Sequence, residues 1–160
     1  MKIKKLTLHE IQIPLRFHFS HAQASYRTSQ NFVVQCETED GTIGWGEGVA
    51  RSFVTGESDG DVFQNFSRLS DRLWKTEFKS VQEGLDFLKA KRYLASEKEG
   101  FQASPAVSGG VEMAVLDAWG QMRGKSVAAL LGGPSKILPY PVPVSGVLGL
   151  GWNAKKKWAL

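Results

Sequence analysis

His18 and His21 stand three residues apart, a spacing that could offer two imidazoles to a metal. Catalytic zinc takes three protein ligands, and no Cys or carboxylate lies at a matching interval. The pair reads as surface or substrate-contacting loop residues. Gly44-Trp45-Gly46-Glu47-Gly48 is rich in glycine, but it lacks the Gly-Lys-Ser/Thr ending of a phosphate loop and the Gly-x-Gly-x-x-Gly of a dinucleotide site. Glu47 beside Trp45 reads as a structural carboxylate rather than a perturbed acid. Glu112 and Asp117 are five residues apart in a helical stretch, which puts them on different faces and not in one metal site. Cys36 alternates with Phe32 and Val34 and reads as a small core residue, not a nucleophile. No Ser/His/Asp or Cys/His constellation is legible.

The elements that would position these groups come in two blocks. Leu6 and Leu8 alternate with polar residues, the period of a strand. Ile11 and Ile13 alternate out of phase with them, so a bulge is expected near His9–Glu10, and Pro14 should end the strand. Residues 16–30 have no clean period and read as a long loop. A second strand follows, with Phe32, Val34 and Cys36 on one face. Asp40-Gly41 signals a hairpin turn. The third strand spans 42–48, with Ile43 and Trp45 on one face and Gly44, Gly46 and Gly48 on the other. A face without side chains implies a close backbone approach or a bend.

After a second loop, 49–58, the period becomes helical. Val62, Phe66, Leu69 and Leu73 form one stripe, with Asp61 and Gln64 as the expected capping box. Ser80 with Glu83 opens a second helix burying Val81, Leu85 and Leu88. Residues 95–103 read as a polar connection. Ser104-Pro105 starts a third helix, with a stripe of Val107, Val111, Val115, Ala118 and Met122 and a stop at Gly124. Ser126 caps a short fourth helix. Residues 141–145 then look like an apolar strand without a partner.

Strands followed by helices indicate α+β. The expected fold is a three-stranded antiparallel sheet (strands within 1–50) followed by a bundle of three to four helices (within 58–132). The 160 residues suit one domain and are too few for a (β/α)₈ barrel of roughly 250. A charged fraction of 22% with 42% hydrophobic residues argues against disorder. No apolar run approaches the roughly 20 residues of a membrane span, and no signal peptide is legible. With the single Cys36, these point to a cytoplasmic protein without membrane contact. The net charge of +4 comes wholly from residues 81–160, and Lys155, Lys156 and Lys157 supply most of it. Such a run, with only Trp158 beside it, argues against a nucleic-acid partner.

The residues also carry a resemblance. The run Gly110-Val111-Glu112-Met113-Ala114-Val115-Leu116-Asp117-Ala118-Trp119-Gly120, with Leu130-Leu131-Gly132-Gly133 after it, resembles the last helices of the capping domain of the mandelate racemase/muconate lactonizing enzyme group of the enolase superfamily. Glu39-Asp40-Gly41 through Glu47 resembles that group's second hairpin, Val54 to Ser58 is similar to a segment of its dipeptide epimerases, and Pro141 to Gly146 resembles its first barrel strand. The resemblance implies a capping domain over 1–138 and the start of an incomplete (β/α)₈ barrel over 139–160. It implies a Mg²⁺-dependent isomerase, of the dipeptide epimerase or muconate cycloisomerase kind, that removes a proton α to a carboxylate. A small carboxylate-bearing substrate, Mg²⁺ and homo-oligomerisation are implied for the full-length enzyme, with none of the Mg²⁺ ligands in this chain.

The same resemblance makes the two loops the substrate-specificity segments, through Phe19, Ser20, His21, Ala24, Arg51, Phe53 and Thr55. Epimerases acting on Ala-Glu place an Arg in the first loop; the matching position here is Ala24, with Arg27 nearby. The family's Lys-x-Lys pair and its three carboxylate ligands lie on later barrel strands, so no catalytic residue is carried over. The expectation is a domain cut short before its barrel and inactive alone. The alternative is a stand-alone, non-catalytic α+β binding module using the same loops.

Overall fold

The computed structural model describes residues 1–21, 24–74, 76–89, 104–133 and 143. The expected strand at 141–145, the connection at 95–103, the barrel start and the lysine run therefore fall wholly or almost wholly outside the described residues. Three antiparallel strands form one sheet in the order β1 (Ile3–His21), β2 (Ala24–Thr38), β3 (Ile43–Gly48). Among the described residues, five helices follow: α1 (Ser52–Thr55), α2 (Asp59–Leu73), α3 (Val81–Lys89), α4 (Pro105–Arg123) and α5 (Val127–Leu130).

The first strand departs from its expected form. Its pairing with β2 runs unbroken from Lys5↔Glu37 to Pro14↔Thr28, so there is no bulge at His9–Glu10. Ile11 and Ile13 simply face away from Leu6 and Leu8 and are exposed, at 39% and 44%. The irregularities lie instead between Ile3 and Lys5 and between Pro14 and Phe19. Pro14 does not end the strand because β1 is an edge, where a missing N–H need not break a ladder. Residues 16–21 and 24–30 are strand, not loop. They are the outer half of a two-stranded ribbon that runs on to His21↔Ala24. Beyond Asn31 neither face of the ribbon is covered by the core, so no alternation marks it.

The core lies between the inner face of the sheet and α4. Leu6, Phe32, Val34 and Cys36 meet Val107, Val111, Ala114, Val115 and Ala118, all buried. The glycine face of β3 is what allows this contact. An added Cβ on Gly46 would sit 2.7 Å from Ala114 N and closer still to the Gly110 carbonyl oxygen; on Gly44 it would sit 2.8 Å from Ala118 Cα. On the opposite side of α4, Trp119 occupies the space a Gly84 side chain would need, and Phe78 stacks on Trp119 at 5.5 Å. The N-terminus closes that side. Ile3 N donates to Thr76 O, and the Met1 amine donates to Phe78 O.

Local signals set the helix ends. α2 begins a turn earlier than expected. Its capping box is Ser58 with Asp61, not Asp61 with Gln64: Asp61 N donates to Ser58 Oγ, and Ser58 N donates to Asp61 Oδ2 at 2.8 Å. The Ser58 hydroxyl, and secondly its N–H, hold the Asp61 carboxyl below its usual range. Ser80, Ser104 and Ser126 cap as expected, accepting from Glu83 N, Val107 N and Ala129 N. Gly124 ends α4 with φ of 58°, and Gly41 turns the hairpin at 86°. The 49–58 segment, expected to be irregular, contains the single turn α1. Among the described residues, no helix is long and apolar enough to cross a membrane.

Two outcomes follow from this packing. Gly46→Ala should lower stability by about 3 kcal/mol or prevent folding, as read by urea denaturation. Gly41→Ala, in open space, should cost only the roughly 1 kcal/mol of its left-handed backbone. Burial alone pushes the Cys36 thiol up to about 12, so it stays protonated at neutral pH. A thiol reagent at pH 7.5 should therefore label Cys36 only at the rate of unfolding.

Candidate functional site

The chain leaves β3 at Gly48 and reaches the outer half of the ribbon within three residues. Ala50 is buried and anchors this exit. Arg51 follows in extended backbone, with φ of −139°, and its side chain lies back along the ribbon. Its Nη1 donates to Ala50 O at 3.0 Å and its Nη2 donates to Ser29 Oγ at 2.9 Å. The guanidinium carbon sits 5.4 Å from the centroid of the Tyr26 ring, and that ring lies 6.2 Å from the ring of Phe53 on α1. One cation and two aromatic rings thus meet where the two segments touch.

A chain of hydrogen bonds holds Arg51 from behind. A guanidinium only donates, so Ser29 Oγ accepts from it and gives its own proton to Asn31 Oδ1 at 2.6 Å. Asn31 Nδ2 in turn donates to Glu47 Oε1. Asn31 is buried, so these bonds are not exchanged for water at small cost. Glu47 is accordingly structural, as its place beside Trp45 suggests. It orients Asn31, which orients Ser29, which orients Arg51.

The far end of the same segment is locked to α4. Gly56 reverses the chain with φ of 77°, and Glu57 turns inward and is buried. Its Oε1 accepts from Ser104 Oγ and from Ala106 N at 3.0 Å. A carboxylate there meets free N–H groups at the positive end of the helix dipole. Ser104 serves both partners, since its Oγ also accepts from Val107 N. Glu57 Oε2 is buried without a hydrogen bond among the described residues.

Of the expected specificity residues, Arg51 and Phe53 come together, and Phe19 joins them as the cross-strand partner of Tyr26. Ser20 pairs across the ribbon with Ser25. His21 and Ala24 pair at the end of the ribbon, and their side chains lie outside the described residues. Thr55 turns back on its own helix, its hydroxyl donating to Arg51 O at 3.3 Å. His18 Nε2 is 2.6 Å from Ser25 Oγ. Asp117 is structural: its Oδ2 accepts from Trp45 N at 2.9 Å and clamps the β3 edge to α4. Tyr26 and Ser29 were not singled out from the sequence. The only signal was an aromatic ring in an otherwise polar stretch. Among the described residues, no three His, Cys, Asp or Glu side chains converge on a metal-sized site.

Residues 3–132 match the N-terminal domain of the mandelate racemase/muconate lactonizing enzyme family. The N-succinyl-L-Arg/Lys racemase of Bacillus cereus is 30% identical over 134 residues, which are 83% of this chain and 34% of that protein. Its crystal structure superposes with a TM-score of 0.68, again over 83% of this chain and 34% of that one. The substrate-liganded L-Ala-D/L-Glu epimerase of Bacillus subtilis superposes at 0.66 with 24% identity, covering 82% and 34%. The dipeptide epimerase of Enterococcus faecalis, complexed with Mg and L-Leu-L-Tyr, superposes at 0.65 with 24% identity, covering 83% and 35%. At that identity the two epimerases show the fold alone. The chain spans about a third of the length of the relatives it matches.

The lock between Glu57 and α4 is open to a direct measurement. Ser104→Ala removes a helix cap and one of the donors that meet the buried Glu57 carboxylate. It should cost about 2 kcal/mol in urea denaturation. A loss under 0.5 kcal/mol would show that the lock does not hold the segment.

Proposed function

Because the chain belongs to the mandelate racemase/muconate lactonizing enzyme family, through the N-terminal domain that residues 3–132 match, we propose that it caps the active site of an enolase-superfamily racemase or epimerase. The observation that carries this is the meeting of the ribbon end with the 51–56 segment around Arg51, Tyr26 and Phe53. Two segments of one domain there form a continuous surface of recognition groups, backed by a rigid sheet-and-helix layer.

On this reading the domain supplies binding and not bond-breaking. Phe19, Ser20, His21, Ala24, Arg51, Phe53 and Thr55 belong to the segments that select substrate, with Thr55 acting through the shape of α1. The segments would also keep water from the reacting centre once closed. The chemistry, removal of a proton α to a carboxylate, belongs to a barrel domain with its own base and Mg²⁺. The described residues do not fit a metal site. A domain boundary near 138, a cytoplasmic location suited to the reduced Cys36, a homo-oligomeric full-length enzyme and inactivity of the cap alone complete the reading.

A domain exchange tests it. Residues 1–132 would replace the matched third of the Bacillus cereus racemase, and α-proton exchange would be followed by deuterium incorporation over a panel of N-acylamino acids and dipeptides. The chimera should retain exchange, with relative kcat/KM values among substrates changed by about tenfold or more, an effect of roughly 1.4 kcal/mol. A folded chimera with the parent's preferences unchanged would refute the capping role. Activity in the isolated chain would refute the division of labour.

A further inference from the structure

Neither segment of the candidate site is held by a core of its own. None of the described residues from 16 to 30 is buried, and none from 51 to 56 is buried either. A two-stranded ribbon covered on neither face is marginal in water. A helix of four residues, as α1 is, lies far below the length at which propagation outweighs nucleation. Both segments nonetheless hold regular structure. Their stability must come from contacts across the junction between them and from the sheet behind it.

Arg51 takes part in both segments. Its carbonyl oxygen accepts from Val54 N at 2.8 Å and from Thr55 N at 2.9 Å, which starts α1. The Thr55 hydroxyl donates to the same oxygen. Its side chain serves the ribbon: Nη2 donates to Ser29 Oγ, and the guanidinium lies over the Tyr26 ring. Tyr26 in turn meets Phe53 of α1 at 6.2 Å. These contacts close a circuit from α1 through Arg51 to the ribbon and back to α1. Ser29 ties the circuit to β3 through Asn31 and Glu47. A change of φ or ψ at Arg51 therefore disturbs the start of α1 and the hold on the ribbon at once.

We propose that Arg51 is a strap that makes the ribbon end and α1 one cooperative unit, so that the two segments order and loosen together. Each segment is too weak to stand alone, and the strap lets each lend its contacts to the other. Arg51 is a positioning residue in this role, acting through Tyr26 and Ser29 on one side and α1 on the other. The use of the coupling rests on the capping reading. On that reading, a substrate that orders one segment finds the other already ordered. The lid closes as a single piece, and a contact made with either segment is felt in the other by the same factor.

The test uses the whole 160-residue chain and needs no ligand. Amide exchange would be followed by NMR at residues 26–29 on the ribbon and at 54–56 in and after α1. Phe53→Ala should speed exchange at 26–29 by roughly fivefold, and Tyr26→Leu should speed it at 54–56 by a similar factor, because coupling is reciprocal. In an Arg51→Met background both cross effects should fall to within roughly twofold. Arg51→Lys keeps a cation near Tyr26 but loses the planar fork, and should leave them in between. Amides at 44–48 should keep their rates throughout. Loss of either cross effect in the parent chain, cross effects that survive Arg51→Met undiminished, or seam amides that speed up alike would overturn the proposal. The domain exchange described above separates this from failure of the capping reading. A chimera with altered preferences and segments that exchange independently keeps the cap and rejects the strap. Coupled segments in a chimera with the parent's preferences reject the cap and leave the strap in place.

Discussion

The close approach of two backbones, β3 against α4, is the constraint on which the other features depend. It works because two periods coincide. Every second residue of a strand advances about 6.7 Å, and every fourth residue of a helix advances about 6 Å. Gly48, Gly46 and Gly44 can therefore face Ala106, Gly110 with Ala114, and Ala114 with Ala118 in turn, the two elements running in opposite directions. A single Cβ on any of the three glycines would press on helix backbone, which cannot rotate away as a side chain can. Asp117 adds a directional bond to the seam by accepting from Trp45 N.

Placement of the site follows from that seam. Gly48 lies against Ala106, so the exit of β3 and the start of α4 are neighbours. Arg51 comes three residues after Gly48, and Glu57 comes back to Ser104 and Ala106. The segment between them is a short arch with both feet on the same helix end. One foot is bound by packing at Ala50, the other by a buried carboxylate. The outer ribbon reaches the arch through Tyr26 and Ser29. The hydrogen bonds that bring it there originate at Glu47 on β3 itself, so the seam orients the Arg51 cluster as well as supporting it.

The parts of this that could be read from the residues are those where burial leaves a period. The glycine face of β3, the stripes of α2 and α4, the caps at Ser80, Ser104 and Ser126 and the Gly41 and Gly124 reversals have local causes and were legible, whereas the Ser58 cap was mistaken for one at Asp61. The ribbon was not, because a strand covered on neither face shows no alternation. The switch of Ile11 and Ile13 to the outer face imitates a bulge for the same reason. The site was legible only as two segments. Arg51 and Phe53 were marked by resemblance, but their partners Tyr26 and Ser29 lie more than twenty residues away. The relay through Asn31 to Glu47 exists only once the register of β2 on β3 is set.

The central claim is that two recognition segments are carried on a rigid seam and engage substrate together. Hydrogen exchange on the domain joined to a barrel, with and without a slowly processed substrate, tests it most directly. The account predicts that amides in 16–30 and 51–56 gain protection together on binding, while those in 44–48 and 107–120 are slow in both states. Protection gained by one segment alone, or seam amides that change as much as the segments do, would contradict it.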